Sequence, residues 1–86
     1  MDEDASIITD LLADAFPDYT IARDNDAIAI RDYGYIPGEV PPDAHEVLEQ
    51  RIREFLYSHT KYWDIIGSSL YRIEGYTVVY IEKTNT

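Results

Sequence analysis

The chain has eighty-six residues, no cysteine and a net charge of −10, from seventeen acids against seven bases. This length supports one domain, which buries only about 60–65% of its unfolded surface, so it holds one core of two packed layers and no large enclosed cavity. The missing thiol excludes a disulfide scaffold, a thiolate metal site and a cysteine nucleophile. No apolar run approaches the ~18 residues of a membrane span. The excess of carboxylates makes nucleic acid and anionic membranes poor direct partners, because phosphate contacts need Lys and Arg.

Residues 4–16 carry a helical stripe of Ala5, Ile8, Leu11, Leu12, Ala15 and Phe16. Asp2 or Asp4 is placed to cap its start, and Pro17 stops it. Segments 19–23 and 27–31 read as a hairpin across Asp24-Asn25-Asp26, residue types that tolerate the left-handed backbone of turns. From Asp32 to Pro42, three prolines and two glycines predict a loop. Residues 43–59 form the clearest helix, with Asp43 and Glu46 spaced as a capping box and Glu49 four residues before Arg53, the favourable order for an exposed ion pair. Segments 69–74 and 76–83 read as a second hairpin around Glu74-Gly75. Tyr71, Ile73, Val79 and Ile81 are expected on one face of it, and Leu70, Arg72, Tyr76, Val78 and Tyr80 on the other. The segment from Tyr62 to Gly67 fits a helical turn or a strand. The order α-β-β-α-β-β predicts an α+β fold: an antiparallel four-stranded sheet with two helices packed on it, all within one domain spanning residues 1–86.

No pattern carries a catalytic signature. His45 and His59 are fourteen residues apart, roughly 21 Å along a straight helix, and cannot share a metal or a proton. Asp24-Asn25-Asp26 begins like a calcium loop, but Ala27-Ile28-Ala29-Ile30 supplies neither its glycine nor its later ligands. Gly34-Tyr35-Ile36-Pro37-Gly38 lacks the lysine and the helix start of a phosphate loop. The chain is therefore expected to be no enzyme and to need no cofactor or metal.

The charge is unevenly placed. Residues 1–43 hold eleven acids and two bases, and residues 44–86 hold six acids and five bases. Asp10 and Asp14 stand four apart on a helix, which costs about 0.2–0.5 kcal/mol, and Asp14 lies near the negative end of the helix dipole. Choices against local stability point to function. Asp24 and Asp26 join them from the hairpin, and Asp32 and Glu39 from the loop, where Tyr33 and Tyr35 flank a glycine and serve either an interface or the core. These eight residues (Asp10, Asp14, Asp24, Asp26, Asp32, Tyr33, Tyr35 and Glu39) form the candidate partner-binding set.

In size, charge and lack of catalytic groups the chain is similar to phage-encoded anti-CRISPR proteins and other DNA mimics, and to acidic immunity proteins that block nucleases. That likeness of class implies a viral inhibitor that occupies the basic site of a nucleic-acid-binding enzyme or complex, touching neither nucleic acid nor membrane itself. The acidic start Met1-Asp2-Glu3-Asp4 is unlike a signal peptide and suggests a cytoplasmic protein. Either a monomer or a homodimer built on a sheet edge fits. The competing expectation is a small structural or regulatory domain of a halophilic or other host, acidic for solubility in salt.

Overall fold

The computed structural model describes residues 4–84. Its elements follow in the order α1 (Ala5–Ala15), β1 (Thr20–Asp24), β2 (Ala27–Asp32), α2 (Ala44–His59), β3 (Trp63–Tyr71) and β4 (Tyr76–Lys83). The strands make one antiparallel sheet in the order β1-β2-β4-β3. Thus β2 and β3 run parallel with β4 between them, and α2 crosses from one to the other as in a split βαβ unit. The expected α+β architecture is the one observed.

Local chemistry explains the ends of α1. The Asp4 carboxylate accepts the amide of Ile7 at 3.0 Å, which satisfies one of the free N–H groups of the first turn. Phe16 ends the helix ahead of Pro17, its amide still donating to the Leu12 carbonyl at 2.8 Å.

The start of α2 departs from the capping-box expectation. Asp43 lies at φ −102, ψ 8 and its side chain makes no capping bond. An N-cap side chain reaches the helix amides from an extended backbone, which Asp43 does not adopt. Here a turn leads into the helix instead, the Ala44 amide donating to the Pro41 carbonyl at 3.0 Å.

One cluster forms the core. Ile8 and Leu12 of α1 and Leu48, Ile52 and Leu56 of α2 pack on Ile28, Ile30, Trp63, Val79 and Ile81 of the sheet. The α2 residues recur every four positions, so one stripe of the helix meets the sheet. Each such side chain contributes about 1.5–3 kcal/mol on burial, and truncating Ile52 to Ala costs about 2–5 kcal/mol. Both helices therefore lie on the same side of the sheet.

The second hairpin corrects two expectations. The ambiguous segment is strand from Trp63 onward. The turn spans residues 72–75, with the Gly75 amide donating to the Tyr71 carbonyl at 2.9 Å and Gly75 at φ 86. Tyr71 consequently pairs with Tyr76, and Leu70 with Thr77. Leu70, not Tyr71, shares the helix-packed face with Val79 and Ile81. Ile73 sits in the turn, 81% exposed, instead of in a strand. A bulge at Ile66, between the pairs Ile65–Ile81 and Gly67–Tyr80, switches which residues of β3 face the helices.

Candidate interaction surface

The opposite side of the sheet is free of helices, and strand register arranges it in rows. At one end Asp24, Ala27, Glu82 and Asp64 lie side by side across the four strands. Next come Ala22, Ala29, Tyr80 and Gly67, then Thr20, Arg31, Val78 and Ser69. At the far end Tyr76 is flanked by two rings, Tyr71 at 4.6 Å and Tyr33 at 4.8 Å between centroids. Among the described residues, only Ala29 and Val78 are fully buried on this side. The first row carries three exposed carboxylates, and Glu82 directly faces Asp64.

Among the described residues, the ion pair within 4.0 Å belongs to α2, Arg53 with Glu49 at 3.4 Å; on the same helix His45 lies 4.0 Å from Glu46, a pair that carries opposite charges only when the imidazole is protonated. The spacing of Glu49 and Arg53 thus makes the expected pair, but not on a free outer face. The second oxygen of Glu49 accepts the Ser68 hydroxyl of β3 at 2.5 Å, so this carboxylate ties α2 to the sheet. His59 is occupied as well, its Nδ1 2.9 Å from the Phe55 carbonyl and its ring stacked on Phe55 at 4.1 Å. His45 is half-buried, its Nδ1 without a hydrogen-bond partner.

The eight sequence-derived residues fall in three places. Asp10 and Asp14 are exposed on the side of α1 turned away from the core residues Ile8 and Leu12. Arg23 reaches the same helix, donating to the Ser6 hydroxyl at 3.2 Å, one turn before Asp10. Asp24 belongs to the carboxylate row, and Asp26 lies beside it in the turn, where Asn25 takes φ 57. Asp32, Tyr33, Tyr35 and Glu39 lie at the other end of β2, about 17 Å away by strand length.

The structure also separates the two loop tyrosines. Tyr33 joins the aromatic cluster on the open sheet face, its ring tilted against Tyr76. Tyr35 turns to the helix side, near Asp32, Tyr19 and Arg51. There burial, reinforced by Asp32 and Tyr19, holds its hydroxyl above the ordinary phenol value of 10.0. Arg51 donates to the Tyr19 hydroxyl at 2.6 Å, the hydrogen bond that raises its own pKa. A shallow cleft of about 430 Å³ opens here between Phe16, Tyr19, Asp32 and Arg51. With one cation between carboxylates, it offers no concentrated charge for an anion or a metal.

Sequence reasoning missed Asp64, Glu82, Tyr71 and Tyr76 as members of one surface. Their alternation was visible, but only the registers of β3 and β4 place them beside Asp24 and Tyr33. Among the described residues, no group of three or more His, Asp or Glu side chains is arranged to hold a metal ion, and no helix is long and apolar enough to cross a membrane. Comparison with known families, with curated proteins and with solved structures finds no match to this chain.

Proposed function

We propose that this chain is a non-enzymatic acidic binding protein that inhibits a nucleic-acid-handling protein by covering its basic site. One observation carries the reading. The carboxylates of Asp10, Asp14, Asp24, Asp26, Asp64 and Glu82 are all exposed, and among the described residues none has a Lys or Arg nitrogen within 4.0 Å. Unpaired like charges work against the compact state, so their retention calls for a compensating role. Asp10 and Asp14 stand one helical turn apart, roughly 6 Å along the axis, a spacing comparable with that of neighbouring phosphates, and a groove lined with Lys and Arg would accept them in place of a nucleic-acid strand.

A second reading, acidity for solubility in salt, draws on the scatter of these carboxylates over α1, the hairpin turn and the sheet face. The two readings part on a binding experiment. The protein is used as bait in a lysate, washed at low and high salt, and a recovered nuclease or helicase is purified for kinetics. Reversing Asp10 and Asp14 to Lys should slow association severalfold and flatten its salt dependence, because exposed charges steer encounter. The control also reverses two carboxylates, Glu46 and Glu54 of α2, both exposed, the latter accepting a surface contact from Gln50 at 3.0 Å. Glu49 is unsuitable as a control because it is bonded to Ser68. Equal effects of the two reversals, or bait that recovers nothing, would refute the inhibitor.

A further inference from the structure

Resting on that reading, we infer that the helix-free face of the sheet docks an extended, arginine-bearing segment of the basic partner. Three observations meet on this face. Its upper end is a cluster of three rings, Tyr71 stacked on Tyr76 and Tyr33 tilted against it, of which Tyr33 is 53% exposed and Tyr71 37% exposed. Its lower end is the row of Asp24, Glu82 and Asp64. Six positions along β4, from Tyr76 to Glu82, separate the two ends, roughly 20 Å, the length of six or seven residues of extended chain.

The charge selects the occupant. An aromatic platform on an open sheet also suits unpaired bases, but such sites run a positive groove along the phosphates. Here the face leads to three carboxylates, with Arg31 as the base set on it among the described residues. A nucleic-acid strand anchored on the tyrosines would bring its phosphates against that row. A guanidinium satisfies both ends: it stacks on aromatic rings, and its planar fork matches a carboxylate in two parallel hydrogen bonds. A lysine ammonium makes only a point contact with a carboxylate. The acidic helix α1 lies on the other side of the sheet, so this anchor is separate from the residues that steer encounter.

The test uses the full chain, isotope-labelled, titrated with three probes: a short peptide of alternating Arg and Val, the same peptide with Lys for Arg, and single-stranded oligo(dT). The Arg peptide should shift the ring resonances of Tyr33, Tyr71 and Tyr76 and bind more tightly than the Lys peptide. Tyr33→Ala and, at the other end, Glu82→Gln should each weaken it about three- to tenfold. Both positions are exposed, and circular dichroism checks that the variants fold. Peptide shifts confined to α1, equal affinity for the two peptides, or no binding of either would overturn the inference. The inhibitor reading would still stand or fall on the Asp10 and Asp14 reversal. Oligo(dT) shifting the tyrosines would overturn both.

Discussion

Glu82 and Asp64 stand directly opposite each other on β4 and β3, both exposed on the side of the sheet that no helix covers. Like charges in directly opposed positions destabilise a sheet. Asp24 extends the row from β1, with only Ala27 between it and Glu82. The sequence places Asp24 in the acidic half and the other two in the nearly neutral half. Folding therefore concentrates charge that the linear split disperses.

Replacing Glu82 by Lys turns this repulsion into an attraction with Asp64. The expected gain is about 0.2–1 kcal/mol, which raises the unfolding midpoint of a domain this size by roughly 1–8 °C. Calorimetry of the variant and its parent in dilute buffer measures it. An unchanged or lower midpoint would mean that the opposed carboxylates do not interact.

Salt dependence separates a binding surface from halophilic acidity. The core is an apolar cluster from Ile8 to Ile81 that needs no cation to assemble. Cooperative thermal unfolding is expected at ~0.15 M salt, with modest gain above it, because the Debye length is already ~8 Å. A circular-dichroism spectrum of an unfolded chain in dilute buffer would favour the halophilic domain.

Alkaline pH should weaken the fold through Tyr76 and Tyr35. For Tyr76, burial followed by the neighbouring phenols of Tyr71 and Tyr33 raises the pKa above 10.0, against the opposing pull of Arg31. The folded state thus prefers the neutral phenol. The stability it contributes is fully present below the unfolded value and is lost as pH rises through the folded one. Tyrosinate absorbance should show a late-titrating component above pH 10.0 that shrinks in Tyr76→Phe and in Tyr35→Phe. Loss of neither component would show that these environments leave the phenols unshifted.

Gly75 joins the β3–β4 turn to the loop that follows β2. Its φ is 86, and a Cβ there would lie 3.1 Å from the Pro37 backbone. Close by, the Gly38 amide donates to the Arg72 carbonyl at 2.7 Å and the Arg72 Nε donates to the Gly38 carbonyl at 3.1 Å. Gly75→Ala combines left-handed strain with a crowded contact to the Pro37 backbone, and about 1–3 kcal/mol of destabilisation is expected. Denaturant unfolding measures it. Gly38→Ala also has positive φ but meets no atom within 4 Å, so it should cost less.

The linear order of residues carried the helices, the first hairpin and the α-β-β-α-β-β succession, because periodicity, proline and capping residues act over a few positions. Ile8 and Leu12, or Leu48, Ile52 and Leu56, mark a buried stripe in any context. The second hairpin depended on more. Whether Tyr71 joins the core or the open face turns on where the chain reverses and on one extra residue, Ile66, in β3. Side chains alternate with a period of two, so a shift of one residue moves every side chain to the other face. The charge on each half of the chain is likewise a property of the sequence. Which carboxylates become neighbours is not, because Asp24, Glu82 and Asp64 meet only through pairing across four strands. Tyr33 and Tyr35, two positions apart in one loop, end on opposite sides of the sheet. Local propensity has no term for that separation; ring contact with Tyr76 and burial beside Asp32 and Tyr19 decide it.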